Sequence, residues 1–247
     1  MSRIIFVCVY MTFSVVSALG VGSTTNCLVV GCGVLGTSLC EQLLSSTDFG
    51  SWSITAITKT KNNHNSILEK VGKHDNFLLS TFDEIPRGKQ FHNVIFCAPP
   101  SGFEDYPGAV KECIDQFWSG PNDGLFVFTS SGGIYGFGSG EIVNEKSPLP
   151  DASLASPRSL RLIKAEEAVI DSKGAVLRLA GLYTLERGAH NYWLEKLNGK
   201  PIAGSKDGIV NLLHYDDAAG SCLATLKAGK KTQGQIYLVS DGHPTSR

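Results

Sequence analysis

The sequence predicts an α/β fold built on a doubly wound parallel sheet, with a small lobe at its C-terminal end. Three observations carry this expectation. Short, continuously apolar runs alternate with helical patterns along most of the chain, as in a parallel sheet covered by helices on both faces. The 27 glycines fall largely at the junctions between those runs, where strands must turn into helices. At 247 residues, with 42% hydrophobic and 18% charged residues, the chain is long enough to bury a substantial core.

The elements follow in order. "NCLVVG" (26–31) is a buried strand, and residues 34–44 form a helix with Leu35, Leu39, Leu43 and Leu44 on its apolar side. "WSITAIT" (52–58) is the second strand, "NFLLS" (76–80) the third, and "NVIFCAPP" (93–100) the fourth, ended by two prolines. Residues 106–118 are helical, "GLFVFTSS" (124–131) is the fifth strand, 159–170 a further helix and "AVLRLA" (175–180) the sixth strand. Beyond that, residues 208–229 suggest a strand and loop leading into a helix with Asp216 or Asp217 near its start, where an acid suits the helix dipole. "QIYLVS" (235–240) is a last strand, and the sequence stops at "HPTSR" without an obvious closing element, so a fragment of a longer chain is expected. The predicted division is 1–22 targeting segment, 23–181 nucleotide-binding domain and 182–247 C-terminal lobe, interleaved with the sheet.

The targeting segment rests on "MSRIIFVCVYMTFSVVSALG". Arg3 precedes an apolar stretch from Ile4 to Val16, and Val16 and Ala18 suit the small-residue cleavage positions of a signal peptide. The apolar run is short against the roughly 20 residues of a membrane span, and an uncleaved anchor is the alternative. This segment is the only membrane contact expected. The seven cysteines show no metal-ligand spacing, so no metal is expected, and free buried thiols acting as small hydrophobes are the expected state. Reduced thiols suit the cytoplasm or an organelle interior. Passage through the secretory pathway or into an organelle such as a plastid reconciles them with a leader; a cytoplasmic location is the alternative. Lys+Arg of 22 against Asp+Glu of 23 argues against nucleic acid as a partner.

Gly31, Gly33 and Gly36 form GxGxxG between the first strand and its helix. The first glycine permits the tight turn, the second lets backbone approach a pyrophosphate, and the third lets helix and strand pack closely. The N–H groups of Val34, Leu35 and their neighbours then face the phosphates. This makes the sheet Rossmann-type and the chain a dinucleotide binder. After the second strand, Thr58, Lys59, Thr60 and Lys61 offer no acid for ribose hydroxyls, whereas Lys59 and Lys61 attract a 2′-phosphate. NADP is therefore the expected cofactor, with NAD as the alternative. Ala98 and Pro99 are small, rigid residues where a cofactor ring or ribose would cross the sheet edge.

"GCGVLG", "FVFTSSGGIYG" (126–136), "NEKSPLP", "VLRLAGLY" and "VNLLHYDDAA" together resemble the extended short-chain dehydrogenase/reductase superfamily, and more narrowly its atypical, sugar-epimerase/dehydratase-like members. The resemblance runs from about Cys27 to the end. It implies an oxidoreductase or epimerase acting on a small polar, nucleotide-sugar-like molecule, with a C-terminal substrate lobe. It implies that Ser131 donates a hydrogen bond to the substrate oxygen, beside Ser130 and a sheet-facing Thr129. It implies a structural Arg178, a passage of the nicotinamide end by Leu182 and Tyr183, and a tie between lobe and cofactor domain through His214 and Asp217.

The superfamily's acid/base pair, YxxxK, sets two side chains on one helix face. Here Lys164 is present but Leu160 stands where the tyrosine belongs. Atypical relatives carry "PR…AE" in this helix, as in Pro157-Arg158 and Ala165-Glu166. Three readings remain open: the chemistry is absent and Lys164 is a solvated lysine; Tyr135, Tyr183 or His190 substitutes; or the protein binds NADP as a sensor or scaffold without turnover. Glu166 and Glu167 are expected on a solvated helix face.

Overall fold

The computed structural model describes residues 5–6, 25–46, 52–86, 88–136, 141–197, 200 and 208–246. Apart from Ile5 and Phe6, which pair in parallel with Ile142 and Val143, the expected targeting segment lies outside the described residues. No helix among the described residues is long and apolar enough to cross a membrane.

The first strand, β1 (Thr25–Val30), shows why this chain makes a three-layer structure. Its last four residues are all buried, and successive side chains of a strand point to opposite faces. Cys27 and Val29 enter one core with Leu35, Leu39 and Leu43 of helix α1 (Val34–Ser45). Leu28 and Val30 enter the opposite core with Tyr106, Val110 and Phe117 of helix α3 (Tyr106–Phe117). Each fully buried leucine contributes about 1.5–3 kcal/mol relative to an exposed one, so neither face tolerates water.

Between them, β2 (Trp52–Thr58), α2 (His64–Val71), β3 (Phe77–Thr81) and β4 (Asn93–Phe96) extend the sheet. Helix α2 was not apparent from the sequence because only Ile67 and Val71 bury, four residues apart, in an otherwise polar segment. Next come β5 (Phe126–Ser131), α4 (Pro157–Asp171) and β6 (Ala175–Leu179). Helix α4 starts two residues before its apolar pattern, because the Ser156 hydroxyl accepts from Ser159 N (3.0 Å) and Pro157 occupies the first turn.

Past β6 the chain leaves the sheet and returns. A short parallel pair forms between β7 (Gly181–Tyr183) and β8 (Leu212–His214), and helix α5 (Tyr215–Ala228) packs back against α1. Strand β9 (Ile236–Val239) then joins the main sheet beside β6. The resulting order is β9-β6-β5-β4-β1-β2-β3, all parallel. Chain order reverses at β1, and in such sheets the crevice for a ligand opens there, outside the carboxyl ends of the strands.

A buried ion pair locks α4 onto β6. Arg178 Nη2 lies 2.7 Å from Glu166 Oε2, with the two side chains 5% and 4% exposed. Nε also donates to the same carboxylate at 3.1 Å, and Nη1 donates to the Tyr135 hydroxyl at 2.6 Å. That hydroxyl donates in turn to Asn144 O at 3.0 Å. Arg178 is structural, as expected. Glu166 corrects the expected solvated face: it is buried, with its carboxylate paired to the buried Arg178. Glu167 is exposed. Removing one member leaves an uncompensated buried charge. Glu166→Ala should therefore cost about 3–5 kcal/mol, read as a lowered urea midpoint, and substituting both residues by apolar ones of similar volume should cost less.

Candidate functional site

The glycine turn separates its three glycines by what each would strike. Gly31 has φ +91°, and a Cβ there would sit 2.5 Å from both Cα and N of Ala98. At Gly36 a Cβ would come within 2.6 Å of Gly31 O. Both glycines are thus explained by the protein's own packing, and Gly31 N and Cys32 N anchor the turn on Ile57 O at 3.0 and 2.9 Å. Gly33 is different. Its φ is −90° and a Cβ would meet nothing within 4 Å. The space it keeps open belongs to the cleft, not to a neighbouring side chain. Helix α1 begins at that point without a side-chain cap and without an acid in its first turn, leaving first-turn N–H donors, at Val34 and Leu35 among others, to meet an anion.

The cleft is about 1680 Å³ in volume and runs along the carboxyl ends of the strands. That exceeds the roughly 300–1,000 Å³ of a site for one small ligand and suits an extended molecule with a second beside it. Gly31, Gly33, Val34, Leu35, Ala98 and Pro99 line it. So do Thr58 and Lys59, at the end of β2. The Thr58 hydroxyl is engaged by His64 Nε2 (2.7 Å) and Thr60 O (2.9 Å), and Lys59 Nζ donates to Gly102 O at 3.1 Å. Lys61 does not line the cleft: it pairs with Glu84, whose carboxyl is pulled down to about 2 by Lys61 and by hydrogen bonds from Thr81 and Ser80. Of the two lysines expected near a 2′-phosphate, only Lys59 borders the cleft. Asp83, after β3, is an acid that also borders this end.

At the end of β5, Thr129, Ser130 and Ser131 all line the cleft. Ser131 Oγ accepts from Gly133 N at 3.2 Å and, among the described residues, donates its own proton to no acceptor. Thr129 Oγ1 donates to Phe96 O at 3.3 Å, whereas Ser130 Oγ is buried with no partner. On α4, Lys164 is exposed and Leu160 half-buried, and neither borders the cleft; the residues that do are Arg158 and Leu162. The spacing of four is right, but the helix presents a different register from the one the motif suggested. Pro157 marks where the helix starts, one residue before Arg158.

The substitutes considered for the missing tyrosine fare unequally. Tyr135 is committed to Arg178 and Asn144 and does not border the cleft. Tyr183 points away from Leu182 across the strand, stacked edge-on between His190 (6.5 Å) and His214 (5.3 Å), so Leu182 lines the cleft and Tyr183 does not. His190 also lies outside the lining. His214 borders the cleft half-buried, its Nδ1 accepting from Asp216 N at 3.2 Å. The tie to the first helix runs through Asp216, not Asp217: Ser38 Oγ donates to Asp216 Oδ1 at 2.6 Å and Gln42 Nε2 to Asp216 O at 2.8 Å. Asp217, one residue further round α5, is exposed.

The described cysteines are all free. Cys27, Cys40, Cys97 and Cys222 cluster with Cys32 around the glycine turn; burial pushes the Cys27, Cys97 and Cys222 thiols up, and the hydrogen bond to Cys32, with burial after it, does the same for Cys40. Cys32, within the turn, moves the other way because the Cys40 thiol and the Thr37 hydroxyl hydrogen-bond its sulfur. Among the described residues no cluster of His, Cys, Asp and Glu could hold a metal ion.

No protein-family model matches the sequence, and no curated protein matches it. Solved structures match throughout. A Methylobacillus flagellatus protein assigned as an NAD-dependent epimerase/dehydratase superposes with a TM-score of 0.66 at 17% identity, over 91% of this chain and 78% of that one. UDP-glucuronic acid 4-epimerase from Bacillus cereus, solved with NAD, gives 0.68 at 16% identity, over 90% and 80%. A conserved protein of unknown function from Silicibacter pomeroyi gives 0.66 at 21% identity, over 90% and 74%. At these identities the likeness establishes the fold, which is that of NAD-dependent epimerase/dehydratase structures.

The two glycines should separate folding from binding. Gly31→Ala should lower stability by about 2 kcal/mol or more, through strain at positive φ and the collision with Ala98. Gly33→Asp should leave the melting temperature nearly unchanged but cut affinity for NADPH about a hundredfold, by crowding and repelling the pyrophosphate. Calorimetry and NADPH fluorescence titration on both variants check the contrast.

Proposed function

We propose that this chain binds a nicotinamide dinucleotide, NADP in preference to NAD, and works as an epimerase/dehydratase-like oxidoreductase of the extended short-chain type on a small polar, sugar-linked molecule. The observation that carries this reading is Gly33: a glycine with no packing reason to be one, facing an open cleft at the uncapped start of α1. The residues present suit the group. First-turn N–H donors of α1 would hold the pyrophosphate, Lys59 would meet the 2′-phosphate, and Ala98 and Pro99 would flank the sugar. When bound, the nicotinamide supplies a hydride acceptor or donor. Ser131, its proton uncommitted among the described residues, would hydrogen-bond the substrate oxygen at the reacting carbon. The B. cereus epimerase is solved with NAD, which supports a nicotinamide cofactor and leaves the preference for NADP to Lys59 and to the absence of an acid among residues 58–61.

A second reading, cofactor binding without turnover, is favoured by one observation. Neither Leu160 nor Lys164 borders the cleft, and the Tyr135 phenol is committed to Arg178 and Asn144. Fluorescence titration with NADPH and NADH, followed by product chromatography over a panel of UDP-sugars, separates the two readings. Turnover supports the enzyme, tight binding with an unchanged panel supports the second reading, and failure to bind either dinucleotide overturns both. Lys59→Glu should weaken NADPH about tenfold or more while NADH changes little; equal effects on the two would remove the NADP preference.

A further inference from the structure

Two of the free thiols meet at the glycine turn as an unequal pair. Cys32 lies between Gly31 and Gly33, two residues before the uncapped helix α1, and its sulfur is 3.8 Å from Thr37 Oγ1. The Cys40 thiol donates a hydrogen bond to that same sulfur. Thr37 and Cys40 stand three residues apart on one face of α1, and helix side chains lean toward the helix N-terminus. Both donors therefore converge on the turn.

Cys32 carries the marks of a nucleophile. The two donors outweigh burial and favour its thiolate, and the positive end of a helix acts in the same sense. Of the described cysteines, Cys32 and Cys97 border the cleft. Burial pushes the Cys97 thiol up, with no hydrogen bond to offset it. Cys40 is fully buried, does not border the cleft, and is held as the protonated partner by the hydrogen bond it gives to Cys32. Cys32 is 2% exposed, so a reagent of two heavy atoms suits it and a bulky one does not. Beside it, a Cβ at Gly33 would meet nothing within 4 Å, which leaves the cleft side of the turn open.

We propose that the turn carries an oxidation site for hydroperoxides, in which Cys32 is the reacting thiol and Cys40 resolves it as a Cys32–Cys40 disulfide. The Cys32 sulfur attacks one peroxide oxygen, the O–O bond breaks, and hydroxide leaves with the Cys32 proton as water, giving a sulfenic acid. The Cys40 sulfur then attacks the Cys32 sulfur, the S–O bond breaks, and the hydroxide leaves with the Cys40 proton as a second water. Two thiols are oxidised and one peroxide is reduced. A disulfide holds its sulfurs at about 2.0 Å, well inside the hydrogen-bonding contact of the reduced pair. Closing it draws Cys32 toward α1, away from Ile57 O, which Cys32 N meets at 2.9 Å in the reduced turn. The oxidised turn then offers a dinucleotide an altered floor. That last consequence rests on the reading of the turn as a dinucleotide site; the thiol chemistry does not.

The test starts from the whole chain, reduced and then freed of reductant. A stoichiometric amount of hydrogen peroxide is added and the remaining thiols are blocked with N-ethylmaleimide. A digest cut after Leu35 or Leu39, between the two cysteines, is then read by mass spectrometry. A Cys32–Cys40 cross-link that dithiothreitol reverses is the expected product. Cys40→Ser should instead leave Cys32 as a sulfenic acid that dimedone traps, a signature a merely structural pair would not give. Cys32→Ser should slow total thiol loss about tenfold or more. Saturating NADP+ should protect Cys32 several-fold, and the oxidised chain should bind NADP+ several-fold more weakly by calorimetry. For each tenfold in that affinity ratio, saturating NADP+ should raise the disulfide midpoint in a dithiothreitol redox buffer by about 30 mV. A cross-link that leaves out Cys32, thiol loss in Cys32→Ser as fast as in the unaltered chain, or an unreacted Cys32 overturns the proposal. Equal NADP+ affinity of the reduced and oxidised chains overturns its coupling to the cofactor. If neither form binds NADP+, it is the dinucleotide reading that fails, and the cross-link alone decides the oxidation site.

Discussion

The cleft depends on a contact in which a side chain is missing. Gly31 stands at positive φ with its α-carbon facing the Ala98 backbone so closely that a Cβ would lie 2.5 Å away. That approach brings the end of β1 against the end of β4 where the chain order of the sheet reverses. Gly31 N and Cys32 N then bond to Ile57 O at the end of β2, so three strand ends are joined at one turn. With the turn held, α1 must start at Gly33 and direct its first N–H groups into the opening. Widening this contact would shift the helix start, the cleft floor and the packing of α5 on α1 together.

The second fastening is electrostatic and lies on the opposite face. The Arg178–Glu166 pair binds α4 to β6 and, through Tyr135 and Asn144, holds the segment that follows β5. A buried pair of this kind contributes specificity of arrangement more than net stability. It determines the rotation of α4 about its own axis, and that rotation decides which side chains meet the cleft. Arg158 and Leu162 face it because Glu166 and Ala165 are held inside.

The two faces therefore divide the work. The α1 side, with its uncapped helix start, suits the phosphates of a dinucleotide. The α4 side contributes Ser130, Arg158 and Leu162 to the lining. Ser131, which follows Ser130 on the strand and so points to the other face, also lines the cleft. Asp216, bonded to Ser38 and Gln42 of α1, ties the returning chain to the first side.

Much of this was legible in the residues themselves. The strand runs, GxGxxG and the absence of an acid after β2 are local features, and local features survive translation into structure because strand burial and turn geometry act over a few residues. What escaped were matters of direction. Tyr183 against Leu182, Asp216 against Asp217, Leu160 against Arg158, and the burial of Glu166 each turn on which face an element presents. So does the loss of Lys61 to Glu84, a residue 23 positions away. A linear pattern specifies that a helix or strand forms and how its faces repeat; the rotation that points one face into the cleft comes from contacts between distant segments, and only the packed structure supplies those.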